Sequence, residues 1–170
     1  MSDAWRDLYE AEYPRLLRAL LAIGGDPDAA EDAAQEAFVK AHRTGLERLD
    51  RPGAWLLVVG TRELLRNRRR RRVETRFSGM EQEKWAERGQ TESSGADAIV
   101  ERADLLAALQ QLPDRQRTVV VARYYYGLSY DEIARLFSIK SGTVAATLHQ
   151  AVERLRQIQI AGRLARGAMR

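Results

Sequence analysis

The sequence predicts an all-α fold of two small helical domains joined by a flexible linker. Apolar residues recur at spacings of three and four over most of the 170 residues, and no segment alternates with period two for long enough to form a strand. A stretch rich in Gly, Ser, Glu and Gln separates the two halves. We therefore expect domains at 1–76 and 98–170 and a linker over 77–97.

The first half predicts three helices. The first ends at Gly24, and Asp26 then places a capping carboxylate before Pro27, a residue suited to the first helical turn. The third helix begins at Pro52 and continues into a run of arginines. The second helix carries a stripe that is mostly alanine, which predicts a close approach to a neighbouring helix: Ala30, Ala33, Ala34, Ala37, Phe38 and Ala41.

The second half contains the sharpest local signal. Ser129 and Glu132 have the spacing of a capping box, and Ser141 caps a second helix after a short break. The apolar positions of that second helix are Val144, Leu148, Val152 and Leu155. Two short helices joined by a tight turn, with the small Ala134 where they cross, form the helix-turn-helix pattern, whose second helix normally enters the major groove of DNA. A plain helical hairpin is the alternative.

Composition excludes several classes of function. The chain has no cysteine, which rules out disulfides, thiolate metal sites and thiol nucleophiles, and its two histidines, His42 and His149, do not suggest a metal pair. No nucleophile–base set stands out, so we predict no enzyme, no metal and no cofactor. No apolar run approaches the roughly 18–20 residues of a membrane span, and the N-terminus does not resemble a signal peptide. We expect a soluble cytoplasmic protein without membrane insertion.

Charge is unevenly distributed along the chain. The net charge is −5 over 1–50, +7 over 51–76, −3 over 77–100 and +5 over 101–170. This alternation favours two kinds of partner: a polyanion for the basic segments, and a basic or polar protein surface for the acidic segment.

The most basic segment is the end of the predicted third helix. Consecutive arginines repel one another unless a polyanion or solvent screens them, and a cationic groove near an aromatic side chain suits single-stranded or melting DNA. A solvated helix end is the alternative. The candidate DNA-binding residues here are Trp55, Arg62 and four residues that we call the arginine band: Arg66, Arg68, Arg69 and Arg71.

The most acidic helix, the second, carries polar groups opposite its alanine stripe. Asp32, Gln35 and Glu36, together with Val39, share one side of this helix. We call Asp32, Gln35 and Glu36 the acidic face. A solvated surface is the usual explanation of such a face, and a protein-docking surface is the alternative.

Motifs in both halves resemble the extracytoplasmic-function sigma factors of bacteria. Residues 28–38 (DAAEDAAQEAF) and 52–56 (PGAWL) look like their conserved region 2, and residues 112–117 (LPDRQR) and 124–134 (YYYGLSYDEIA) look like their region 4. The resemblance covers both halves in order, with a linker and total length typical of the group. It implies a non-catalytic promoter-specificity subunit that binds core RNA polymerase and promoter DNA, with an anti-sigma factor as a candidate partner.

The resemblance also implies residue roles. The acidic face would dock on the clamp helices of the largest polymerase subunit, and the helix from Trp55 through the arginine band would melt and hold the minus-ten element. The helix-turn-helix would read the minus-thirty-five element, with DNA-contacting residues Lys140, Ser141, Thr143, Ala145, Ala146, Thr147, His149 and Gln150.

The chain departs from the family's usual pattern at three places. Arg62 stands where the family usually has Asn, and Ser138 stands where the turn usually has Gly. After Val144, the usual basic residue, Ser and Arg are replaced by Ala145, Ala146 and Thr147. We therefore expect weak minus-thirty-five recognition, with Lys140, Arg154 and Arg156 holding the DNA backbone. Two other functions of the chain are kept as alternatives: a stand-alone helix-turn-helix regulator, and a sigma-derived polymerase-docking module with weakened promoter reading.

Overall fold

The chain is all-α and divides into two compact units, Met1–Thr91 and Glu92–Arg170. The computed structural model describes the backbone of residues 3–78 and 96–168, and the side chains of 3–71 and 103–159. Within these ranges the regular secondary structure is helical throughout, which confirms the predicted fold class. The linker expected over 77–97 lies mostly outside the described residues.

The first unit contains three long helices: α1 (Asp3–Gly24), α2 (Pro27–Thr44) and α3 (Pro52–Ser78). Asp26 caps α2 as predicted, because its Oδ1 accepts hydrogen bonds from the amides of Asp28 and Ala29 at 3.1 and 3.3 Å. A short 3₁₀ turn at Leu46–Arg48 leads into α3. The beginnings of α2 and α3 and the end of α1 agree with the sequence analysis.

Small side chains let the three helices pack closely. All six residues of the predicted alanine stripe on α2 are buried. On α3, a Cβ added at Gly60 would lie 3.0 Å from Leu20 Cδ1 of α1, a tight contact to which the Leu20 side chain would have to adjust. The core also holds the fully buried Leu16, Leu56 and Leu64.

The second unit contains α4 (Ala96–Gln110), α5 (Asp114–Val120), α6 (Tyr130–Phe137) and α7 (Ser141–Ala168). The helix expected to run from Pro113 towards Gly127 is not uniform, because its last turn, Val121–Tyr125, is π-helical. Ile133 of α6 and Val144 of α7 are fully buried, and the two helices of the predicted helix-turn-helix pack against each other.

Some apolar residues in the described part of this unit do not face its core. Val152 was predicted on the inner stripe of α7, but it is 46% exposed, and Ala151 is buried instead. The inner face therefore advances from Leu148 by three residues to Ala151; a repeat of 3.6 residues allows a step of three or of four, and packing decides between them. Leu105 and Leu106 on α4 are also exposed.

Candidate functional site

The acidic face lies on the solvent side of α2. Asp32 and Gln35 are exposed, and Glu36 is partly exposed. The Asp32 side chain keeps 63% of its surface accessible. Val39, on the same side, is also exposed. The face thus presents carboxylates, an amide and one apolar side chain to solvent, on a helix whose opposite side is buried in the core.

Aromatic side chains of α1 support this face from the side. Tyr13 stacks on Tyr9 with ring centroids 4.7 Å apart, and Tyr9 packs edge-on against Phe38 of α2 at 5.1 Å. Burial raises the pKa of the Tyr13 phenol, and a hydrogen bond with Gln35 opposes this shift. Tyr9 remains exposed beside the face. The sequence analysis did not assign a role to these tyrosines, although their four-residue spacing places them on one side of α1.

The arginine band lies on α3. Arg66 and Arg69 are exposed, Arg68 is half-buried, and Trp55, three turns earlier, is also half-buried. Arg62 is exposed between them. The predicted minus-ten residues therefore extend along one helix with their cationic groups accessible.

One residue of the band reaches the acidic face. Arg71 Nη2 lies 3.7 Å from Asp32 Oδ2, and Arg71 Nη1 lies 3.4 Å from Oδ2 of Asp26. Both pairs are solvent-exposed, so each stabilises the unit only weakly and is screened by salt. The structure thus brings together two regions that the sequence analysis treated separately.

The turn between α6 and α7 has the helix-turn-helix geometry. The capping box is present: the Glu132 amide donates to Ser129 Oγ at 3.2 Å, and the Ser129 amide donates to Glu132 Oε2 at 2.7 Å. Ser138 has φ +56° and ψ +47°, the left-handed conformation that favours glycine, at a cost of about 1–2 kcal/mol for a residue with a Cβ. Ser141 Oγ donates to Asp131 Oδ1 at 2.8 Å and ties the start of α7 to α6.

The predicted DNA-contacting residues of α7 divide between two environments. Lys140, Ala146, His149 and Gln150 are exposed, whereas Ser141, Thr143 and Ala145 are partly exposed. Thr147 faces inward: it is only 7% exposed, and its hydroxyl donates to the Thr143 carbonyl at 2.7 Å. Because this hydroxyl is already used within the helix, we remove Thr147 from the predicted DNA interface.

A carboxylate that the sequence analysis did not consider lies further along the outer side of α7. Glu153 follows His149 by four residues and accepts hydrogen bonds from Arg156 Nε and Nη2 at 3.1 and 2.8 Å. These bonds favour the charged form and lower the pKa of the Glu153 carboxyl. Arg156, expected to hold the DNA backbone, is paired within its own helix.

Other kinds of site find no support in the described part of the chain. In that part, no group of three or more His, Cys, Asp or Glu side chains is arranged to hold a metal ion. None of the helices described there is both long and apolar enough to cross a membrane.

Comparisons with known proteins match both halves of the chain. The family model for Sigma-70 region 2 matches residues 8–74, and the model for Sigma-70 region 4 matches residues 102–155. The ECF RNA polymerase sigma factor SigL of Mycobacterium tuberculosis is 33% identical over 154 residues, which cover 89% of this chain and 86% of SigL. SigW of Bacillus subtilis is 28% identical over 169 residues, covering 91% and 88%.

A solved structure shares the fold. The sigma factor RpoE of Bartonella quintana, crystallised in complex with the anti-sigma factor NepR, aligns with a TM-score of 0.76 at 22% identity. The alignment covers 93% of this chain and 98% of RpoE.

Proposed function

The chain belongs to the extracytoplasmic-function family of RNA polymerase sigma factors. We propose that three of its surfaces act in promoter recognition: the acidic face of α2, the third helix α3 and the recognition helix α7. It binds core RNA polymerase and promoter DNA and directs promoter-specific transcription initiation. The observation that carries this conclusion is the match of sigma region 2 and sigma region 4 to the two halves of the chain, in order. Nothing in the comparisons favours a stand-alone regulator or a docking module.

The acidic face is our proposed contact with core polymerase. Its exposed Asp32 and partly exposed Glu36 suit a basic partner surface, and Tyr9 of α1 packs against Phe38 of the same helix. We place this contact on the clamp helices of the largest polymerase subunit, with Gln35 and Val39 adding a hydrogen-bonding and an apolar contact.

The third helix is our proposed contact with the minus-ten element. The guanidinium groups of the arginine band suit bidentate contacts with phosphates, and the half-buried Trp55 offers an aromatic surface for an unstacked base. Arg62 stands where the family usually has Asn, so we expect the base preference of this pocket to differ from that of typical relatives. Bases of the melted strand are bound and held here, without catalysis by the chain.

The recognition helix α7 is our proposed contact with the minus-thirty-five element, and we expect it to be weak. Ala145 and Ala146 offer only methyl groups, which suit thymine methyls, and His149 and Gln150 supply the exposed hydrogen-bonding groups. The Glu153 carboxylate on the same side lowers the positive potential facing the phosphates. A shallow upstream preference follows, with promoter choice shifted to the minus-ten region.

Two broader properties follow from the proposed function. We place the protein in the cytoplasm, where it would meet RNA polymerase. The solved relative RpoE is in complex with an anti-sigma factor, and we propose an anti-sigma factor as a regulatory partner of this chain as well.

A start-site assay tests the function. Core RNA polymerase alone initiates without promoter specificity, and we expect the added chain to direct initiation to discrete sites on a genomic template. Mapping of the 5′ ends of the transcripts measures this. A start-site pattern that does not change when the chain is added would contradict the proposed function.

A further inference from the structure

A buried carboxylate lies between the surfaces that we assign to polymerase and to DNA. Glu63 is on α3, and only 6% of its side chain is exposed. Removing a carboxylate from water costs free energy unless it is paired and hydrogen-bonded. The partners of Glu63 therefore determine whether the charge can be buried.

Glu63 is paired with cations from two helices. It accepts hydrogen bonds from Lys40 of α2 and from Arg66, which is one turn later on α3. Lys40 Nζ also lies 3.7 Å from Glu36 Oε1. Four charges of alternating sign therefore follow one another: Glu36, Lys40, Glu63 and Arg66. One end of this cluster belongs to the acidic face and the other to the arginine band.

Stability alone does not account for the cluster. Replacing a buried ion pair by apolar residues of similar volume is often neutral or stabilising, and the neighbouring Leu57 and Leu64 of α3 are apolar and buried. Apolar side chains in place of both Glu63 and its partner could therefore be tolerated at this position without loss of stability. What an apolar side chain could not do is compete with Glu36 for Lys40.

We propose that Glu63 is a positioning residue that limits how far Lys40 neutralises Glu36, because the Lys40 ammonium is hydrogen-bonded to Glu63 and lies 3.7 Å from Glu36, beyond hydrogen-bonding distance. Lys40 has two carboxylates within reach, and the buried one attracts it more strongly because the local dielectric is lower. With Lys40 held by Glu63, Glu36 stays available to a basic surface of core polymerase. This inference rests on the proposed docking role of the acidic face.

Glu63→Gln keeps the shape of the side chain and removes its charge. Lys40 should then turn to Glu36, and we expect the affinity for core polymerase to fall roughly tenfold. Adding Lys40→Met to Glu63→Gln removes the competing cation, so core affinity should return to about the wild-type value. A merely structural role predicts the reverse, because a second change at the helix interface would weaken the unit further.

Thr61→Val is the matched control. Thr61 is a buried polar residue of the same helix, and its hydroxyl has no partner among the described groups, so removing it should leave core affinity unchanged. If Glu63→Gln does not fold, Lys40→Met/Glu63→Leu replaces the pair with apolar groups and should bind core polymerase like the wild type.

Fluorescence titration against core polymerase, with circular dichroism to confirm helix content, decides the outcome. Any one of three results would overturn the positioning role. These are an unchanged affinity in Glu63→Gln, no recovery of affinity in Lys40→Met/Glu63→Gln, and weak binding by a folded Lys40→Met/Glu63→Leu. Failure of the docking role itself is distinguishable, because Asp32→Arg/Glu36→Arg would then still bind core polymerase.

Discussion

Asp32→Arg with Glu36→Arg should abolish binding to core RNA polymerase at concentrations that saturate the wild type. Charge reversal places like charges opposite each other at the interface, which costs several kcal/mol, so we expect an affinity loss of about 100-fold or more. The helices should remain intact, since Asp32 is exposed, Glu36 is partly exposed, and the alanine stripe lies on the opposite side of α2. Titration of labelled protein with core polymerase measures the loss.

Asp7→Arg with Glu10→Arg is the matched control. Both residues are exposed on α1, and the variant changes the net charge by the same amount on a different helix from the acidic face. It should bind core polymerase almost as well as the wild type. An affinity for the Asp32→Arg/Glu36→Arg variant within about twofold of this control would show that the acidic face is only a solvated surface.

Replacing Arg68, Arg69 and Arg71 with Gln should weaken promoter binding by the holoenzyme and flatten its salt dependence. Each lost phosphate contact reduces the slope of log affinity against log salt by about 0.7–0.9, so three contacts would lower it by roughly 2–3. Arg71 already pairs with Asp26 and Asp32, so its loss is expected to contribute least. Filter binding over a series of salt concentrations measures the slope.

The control removes the same number of charges from another helix. Arg6, Arg15 and Arg18 lie on α1, and replacing all three with Gln should leave the salt slope close to that of the wild type. If the slope of the arginine-band variant also equals the wild-type value, the arginines act as a solvated helix end and not as a DNA contact.

Local signals in the sequence predicted the helix boundaries well. The Asp26 cap of α2 and the Ser129–Glu132 capping box depend on groups within three residues of each other, so their spacing alone identifies them. The alanine stripe was also predicted residue by residue, because five alanines and Phe38 on one face leave few alternatives for the packing side.

Features that depend on helix packing could not be predicted in this way. Periodicity placed Val152 inside, and the family resemblance left Thr147 outside, whereas the actual inner face of α7 is set by its packing against α5 and α6. The pairing of Lys40 with Glu63, and of Arg71 with Asp32, joins residues far apart in the sequence, and the crossing of α2 and α3 brings them together. No local pattern encodes such a crossing.

Promoter selection from a library is the most direct test of the claim that the chain selects promoters mainly through the minus-ten element. The holoenzyme transcribes templates in which the minus-ten and minus-thirty-five elements are randomised independently, and sequencing of the transcripts measures the preference at each position. We predict a strong minus-ten preference and a shallow minus-thirty-five preference, and Ala146→Arg should strengthen the upstream preference by restoring a cation to the exposed side of α7. Two results would contradict the proposed promoter recognition. One is a strong single minus-thirty-five motif with no gain in upstream preference in Ala146→Arg, and the other is a set of transcripts with no preference at either element.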